Sequence, residues 1–197
     1  MMNFIRELIQ TIAWCICIVY ASIPSFWFIV HPFVGFWRRR RSPYKAILPA
    51  WFAIWIVLGI VSARWRHELL YTSWWGWIPA AVFFSTGLWL YSHAGNGFSA
   101  KQLGGIPEVL PNHPEQRLVT SGVRGRVRHP VYLGHLCEML AWSLGTGLVV
   151  LYGLVLFAVV TGALMIRLED KELERRFGEE YVQYRRRVPA VLPIPRI

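Results

Sequence analysis

Long apolar stretches separated by basic or polar segments dominate the pattern of the chain, and they occupy residues 8–37, 46–63, 74–91 and 131–166. A helix of about twenty apolar residues crosses a hydrocarbon core of roughly 30 Å. The last stretch is about twice as long as one span requires, and Gly145-Thr146-Gly147 inside it favours a tight turn. The pattern therefore predicts an all-α, polytopic membrane protein of about five transmembrane helices.

The first stretch contains Pro24 and Pro32 and ends at the basic block 38–41. Proline bends a membrane helix without necessarily ending it, so one bent span and a short re-entrant hairpin both fit the sequence. Composition supports the membrane location, since 55% of the residues are hydrophobic and the mean hydropathy is +0.37. An ordinary soluble domain is roughly 45–50% apolar.

The basic residues predict an orientation. The net charge is +10, and 18 of the 21 Lys and Arg fall on one side if the first span ends in the cytoplasm. Positive residues accumulate on the cytoplasmic side, so we expect the N-terminus outside and the C-terminus in the cytoplasm. This distribution accounts for the charge without nucleic-acid binding. We expect one membrane domain over 1–197, with three spans in 1–91, a cytoplasmic loop at 92–130, a helical hairpin at 131–166 and a cytoplasmic, amphipathic C-terminal segment at 167–197.

The first candidate site lies at the cytoplasmic mouth of the fourth span, in the run Arg128-His129-Pro130-Val131-Tyr132. Proline is tolerated in the first turn of a helix, so a helix should begin at Pro130, with His129 at its N-terminus. Free N–H groups and the positive end of the helix dipole favour a carboxylate or phosphate there. Alternatively, Arg124, Arg126 and Arg128 anchor the loop to lipid headgroups.

The second candidate site is Glu169-Asp170, where the fifth span leaves the membrane. Two adjacent carboxylates there can hold an ammonium group or ribose hydroxyls. A solvated face with i to i+4 ion pairs, such as Glu172 with Arg176, is the alternative for the residues that follow.

Two polar residues interrupt the fourth span. Glu138 lies inside the apolar run, and His135 precedes it by three residues on the same helical face. A charge at the centre of a membrane helix costs roughly 2.5–3.5 kcal/mol, so Glu138 should face protein or water. We interpret the pair as lining an acceptor cavity, as base or cation ligand, or as forming an interhelical hydrogen bond.

The motifs carry a family resemblance. LVTSGV at 118–123, RHPVYLG at 128–134, EDKEL at 169–173 and FGEEYVQYRRRVPAVLP at 177–193 resemble the C-terminal half of the isoprenylcysteine carboxyl methyltransferases and their relatives, the phospholipid methyltransferases. The resemblance covers about residues 95–195 and keeps the family order and separation of the motifs. It implies a membrane-embedded methyltransferase that uses S-adenosylmethionine, requires no metal and acts on a lipophilic acceptor.

The resemblance also implies which residues bind and react. The expected cofactor ligands come from the stretch before the fourth span, from its start and from the acidic pair: Gln116, Arg117, Leu118, Val119, Arg128, His129, Pro130, Val131, Tyr132, Glu169 and Asp170. The expected catalytic residues are Glu138 and His135, from the position of the pair inside the fourth span, and Arg167, although relatives have the substrate-associated Arg at the position of Met165. Arg124 stands where relatives usually have Tyr. These two departures leave the acceptor open among a prenylated cysteine carboxylate, a phospholipid amine and a small lipophilic thiol or acid.

Two other classes of protein remain. Sterol reductases share a similar terminal helix arrangement and would bind NADPH, and a non-catalytic relative would keep the fold alone. The Glu169-Asp170 pair and FGEEYVQY are closer to the methyltransferase pattern than to the reductase pattern. The intact His129, Tyr132 and Glu169 argue against a non-catalytic protein.

Overall fold

A computed structural model describes residues 2–94, 109 and 117–192 of the chain. Within these ranges the chain is helical and contains no β-strand, which confirms the predicted all-α class. The α-helices are α1 (Met2–Val30), α2 (Val34–Trp37), α3 (Tyr44–Ala63), α4 (Trp77–Ala94), α5 (Pro130–Thr146), α6 (Val149–Phe177) and α7 (Glu179–Arg187). Short 3-10 helices occupy His31–Phe33, Trp74–Gly76 and Gly122–Gly125.

The first apolar stretch forms one helical path. It is helical over Asn3–Trp37, with Pro24 inside α1 and a 3-10 turn that places Pro32 in its first positions, where the missing N–H leaves no hydrogen bond unmade. The bent single helix is therefore the alternative that the structure supports over the re-entrant hairpin.

Three helical segments in the described ranges are long and apolar enough to cross a membrane, namely Asn3–Trp37, Tyr44–Ala63 and Val149–Phe177. The other two predicted spans correspond to α4 and α5, which are 18 and 17 residues long. Both helices contain polar residues that lower their mean hydropathy, such as His93 in α4 and Glu138 in α5. A membrane protein is thus supported, and the count of five spans stays a prediction.

The helices pack around a core between α1, α5 and α6, which contains Ala13, Cys17, Met139 and Leu151. Among the described helices, α4 and α5 make the most extensive contact with each other. The turn between α5 and α6 uses Gly147 at φ 70°, a left-handed conformation that favours glycine. As predicted, this turn divides the stretch 131–166 into two helices.

The two ends of the bundle are closed by different segments. At one end, the connection after α3 pairs with the α5–α6 turn, since Leu70 N–H donates to Gly147 O at 2.8 Å and Val149 N–H to Glu68 O at 3.0 Å. At the other end, Arg128 N–H donates to Pro189 O and His129 N–H to Ala190 O, both at 2.9 Å. The C-terminal segment therefore returns to the start of α5.

Candidate functional site

The first candidate site is built at the start of α5. Pro130 is fully buried in the first turn of the helix, as predicted, and His129 caps it with φ −117° and ψ 61°. The C-terminal segment covers the site, because the residues after α7 pair with the backbone of Arg128 and His129. The residues before α5 and those after α7, far apart in sequence, thus form one side of the site, which is called the wall of the site below.

A buried ion pair fixes this wall. Arg128 Nη2 donates to Asp170 Oδ1 at 3.0 Å and Oδ2 at 2.8 Å, and Nη1 donates to the carbonyl of Val188 at 2.7 Å. The side chain of Arg128 is 4% exposed and that of Asp170 14%. Asp170 also accepts a hydrogen bond from the Tyr181 hydroxyl of α7. Arg128 therefore connects the segment before α5 to α6 and to the C-terminal segment. This structural role differs from both predicted roles of Arg128, which were binding an anion and anchoring the loop to lipid headgroups.

His129 lies between the two predicted carboxylates. Its Nδ1 is 3.3 Å from Glu169 Oε2, and its Nε2 is 4.0 Å from Asp170 Oδ1. The imidazole is 9% exposed, whereas the side chain of Glu169 is 25% exposed. Nε2 of His129 is buried and has no hydrogen-bond partner within the described part of the chain. The site thus places an imidazole next to a partly accessible carboxylate.

Helix α7 supports the site through two buried tyrosines. The Tyr184 hydroxyl donates to the carbonyl of Arg124 at 2.6 Å, and Arg124 Nη1 donates to the carbonyl of Arg128 at 3.1 Å. Burial raises the pKa of Tyr184 to about 12. Burial first, and then the neighbouring Asp170 carboxylate, raises the pKa of Tyr181. Both hydroxyls therefore stay protonated and continue to donate.

The other predicted cofactor ligands are arranged around this wall. Leu118 packs against the cluster of Tyr181, Tyr184 and Val188, and Val119 is half-buried beside it in sequence. Arg117 is exposed and Val131 half-buried, while Gln116 lies outside the described residues. The Tyr132 hydroxyl donates to the carbonyl of Ala158 on α6. Direct cofactor contacts by these residues, and by Arg128 and Asp170, stay predictions.

The three predicted catalytic residues occupy two other places. Glu138 and His135 lie deeper in the bundle, where the carboxylate packs against Gly87 of α4 and the imidazole lies 4.9 Å from the ring of Tyr20. Arg167 is exposed, and Met165 is buried against Tyr132. The structure therefore separates Glu138 and His135 from the His129 site, and their catalytic role stays a prediction.

One further polar residue was missed by the sequence analysis. His31, where α1 ends, is 7% exposed and stacks on Trp27 with ring centroids 4.9 Å apart. The ionisable side chains near it are Glu169, Glu172, Arg176 and His129, and neither ring nitrogen has a hydrogen-bond partner within the ranges described. A histidine at the end of an apolar run, seven residues before the first Arg of the basic block, was the signal in the sequence.

Comparison with known proteins tests the predicted resemblance. Mouse protein-S-isoprenylcysteine O-methyltransferase is 40% identical over 81 residues, which cover 39% of this chain and 27% of the relative. The resemblance to the isoprenylcysteine methyltransferases is confirmed. Methanethiol S-methyltransferase 1 of Bradyrhizobium diazoefficiens is also similar, with 40% identity over 70 residues that cover 34% of this chain and 23% of that protein.

A protein of another class is similar too. The mouse delta(14)-sterol reductase is 36% identical over 84 residues, which cover 42% of this chain and 20% of the reductase. The chain therefore spans only about a quarter of the length of the isoprenylcysteine methyltransferase and the other two relatives. No protein-family model and no solved structure match it.

Proposed function

We propose that the protein is an integral membrane methyltransferase that uses S-adenosylmethionine and acts on a lipophilic acceptor. The observation that carries the proposal is the position of His129, which caps α5 with Nδ1 3.3 Å from Glu169 Oε2 and Nε2 4.0 Å from Asp170 Oδ1. Similarity to an isoprenylcysteine methyltransferase and to a thiol methyltransferase supports the same reaction class.

The donors and acceptors of the site fit the polar groups of this cofactor. The first turn of α5 offers free N–H groups and a positive dipole end to a carboxylate, and Nε2 of His129 would add a donor in the protonated imidazole. Glu169 offers an acceptor to an ammonium group or to ribose hydroxyls, and charge-assisted hydrogen bonds of this kind are strong. When bound, the cofactor supplies an electrophilic methyl group on its sulfonium.

The contribution of the chain is positioning. The ion pair of Arg128 with Asp170 holds the backbone of His129 in place, and α7 covers the ion pair. Holding two reactants in line and excluding water from the site accounts for much of the rate gain in transfers of this kind. Arg128, Asp170 and Tyr181 are thus positioning residues, while His129 and Glu169 touch the cofactor.

The proposal includes a topology of five spans. Three are the segments long and apolar enough to cross a membrane, and α4 and α5 would be the other two. The residues before α5 and the C-terminal segment meet at one end of the bundle, and the α5–α6 turn meets the connection after α3 at the other. Five alternating spans give this pairing of ends. With the basic end in the cytoplasm, the N-terminus lies outside and the cofactor reaches the site from the cytosol.

Methyl transfer is the direct test. The protein would be placed in phosphatidylcholine nanodiscs with methyl-labelled S-adenosylmethionine and three acceptors, namely a farnesylated cysteine, a lipophilic thiol and a lipophilic amine. We expect label in at least one acceptor, loss of transfer in Glu169→Gln, and retention in the control Glu180→Gln, whose side chain is exposed on α7. Equal transfer by wild type and Glu169→Gln would contradict the proposed role of Glu169.

The sterol-type reductase is the second candidate, and the similarity to the mouse delta(14)-sterol reductase favours it. It would require NADPH at the His129 site. Binding of NADPH without binding of S-adenosylhomocysteine would select this candidate over the methyltransferase.

A further inference from the structure

A second polar cluster lies inside the bundle, between α1, α4 and α5. It consists of Tyr20, Tyr91, His135 and Glu138, with the ring of His135 4.9 Å from that of Tyr20 and 5.5 Å from that of Tyr91. Glu138 follows His129 by nine residues on α5, which corresponds to about 13 Å along the helix. The cluster is therefore distinct from the His129 site.

Glu138 is the deepest charge in this cluster. It is 6% exposed, and its carboxylate lies so close to α4 that a Cβ on Gly87 would be 2.6 Å from Oε1. Glycine at this position thus makes room for the carboxylate between the two helices.

Two polar atoms of the cluster are unsatisfied. Oε1 of Glu138 and Nδ1 of His135 are buried and have no hydrogen-bond partner among the residues the structure describes. None of the ion pairs formed by those residues includes Glu138. The interhelical hydrogen bond that the sequence left open is therefore not made by Oε1. Leaving a charge unpaired at this depth is costly, so the site is suited to a ligand that brings the missing partner.

We propose that Glu138 binds the ammonium group of a lipophilic amine and takes a proton from it, and that the free amine so formed is the acceptor of the proposed methyltransferase. The amine nitrogen would form its bond to the methyl group as the bond between that methyl group and the sulfonium breaks, and S-adenosylhomocysteine would leave. The statement that the amine is the acceptor rests on the proposed function, whereas the amine site itself rests on the cluster alone. An ammonium group donates charge-assisted hydrogen bonds to a carboxylate, and the rings of Tyr20 and Tyr91 can face its positive charge. A carboxylate or thiolate would meet Glu138 as a like charge and would be rejected.

The test measures equilibrium binding of labelled decylamine, decanoate and decanethiol to the protein in phosphatidylcholine nanodiscs, with empty nanodiscs subtracted for partition into lipid. Glu138→Gln keeps the shape of the side chain and removes its charge. We expect it to bind decylamine about ten- to hundredfold more weakly than wild type, as the loss of a charge-assisted hydrogen bond implies. Decanoate should bind Glu138→Gln more tightly than wild type, because the like charge is gone. Decanethiol, which is uncharged as a thiol, should bind both alike, and Glu180→Gln should match wild type for all three.

A second variant guards against a general folding defect. Gly87→Ala keeps Glu138 but forces its carboxylate to move, so it should weaken decylamine binding while leaving that of decanethiol unchanged. Equal decylamine affinity in wild type and Glu138→Gln, or tighter binding of decanoate to wild type than to Glu138→Gln, would overturn the amine site.

Calorimetry with S-adenosylhomocysteine on the same samples separates the two proposals. Binding of this compound without Glu138-dependent binding of decylamine would refute the amine site alone. Glu138-dependent binding of decylamine without binding of S-adenosylhomocysteine would uphold the amine site and contradict the methyltransferase.

Discussion

Arg128 and Asp170 form a buried ion pair in which one guanidinium nitrogen, Nη2, donates to both carboxylate oxygens, at 3.0 and 2.8 Å. The two residues are 42 positions apart in sequence. Their pair connects the segment before α5 with the charged end of α6, and the Tyr181 hydroxyl extends the connection to α7. It is the link that holds His129 beside Glu169.

Removing the charge of Asp170 should therefore destabilise the fold. Asp170→Asn leaves Arg128 buried without its counter-ion, and breaking a buried pair on one side costs about 3 kcal/mol. Tyr181→Phe, which loses a hydrogen bond to a charged group, should cost about 2 kcal/mol, and Tyr184→Phe, which loses one to a carbonyl, about 1 kcal/mol. Denaturation of the three variants in detergent micelles would measure the order of these losses in stability. Equal losses in Asp170→Asn and Tyr184→Phe would show that the ion pair does not have this role.

Alanine should have different effects on the free energy of unfolding at two glycines, one in the turn between α5 and α6 and the other inside α6. Gly147 has φ 70°, and an added Cβ would lie 2.4 Å from the carbonyl oxygen of Tyr71. Gly147→Ala should lower the free energy of unfolding by at least about 1–2 kcal/mol, the cost of a left-handed residue. Gly153 lies inside α6 with open space around it, so Gly153→Ala should be neutral or stabilise by roughly 0.5–1 kcal/mol. Loss of stability in both variants to the same extent would contradict this account of the turn.

The orientation can be tested with single cysteines in a background without the native ones. Thr72 and Ser121 are exposed at opposite ends of the bundle, one after α3 and the other before α5. In intact cells, Thr72→Cys should react with a membrane-impermeant maleimide, and Ser121→Cys should react only after the cells are opened. The reverse pattern would invert the orientation, and labelling of both positions in intact cells would contradict five alternating spans.

The local structure of the chain was largely predictable from its sequence. The apolar run 46–63 lies within α3, Pro130 begins α5, and Glu172 pairs with Arg176 one turn later, with Nε 3.0 Å from Oε1. Hydrophobic periodicity and the special backbone of proline and glycine determine such features within a few residues. The two helices in the stretch 131–166 followed from the same reasoning.

The contacts of the site were not predictable in the same way. The pairing of Arg128 with Asp170 and the hydrogen bond from Tyr184 to the carbonyl of Arg124 depend on how α6 and α7 pack against the start of α5. Periodicity states which residues are apolar, not which distant helix they meet. The direction of Tyr132 likewise depends on the nearby carbonyl of Ala158, which no local pattern reveals.

Titration of the purified protein with S-adenosylhomocysteine by calorimetry tests the central proposal most directly, with NADPH as the comparison ligand. We expect binding to wild type and to the control Glu180→Gln, and a loss of about tenfold or more in His129→Ala and Glu169→Gln, each of which removes a charged or buried hydrogen-bond partner. Binding of NADPH alone, or equal affinity for S-adenosylhomocysteine in wild type and both site variants, would contradict it.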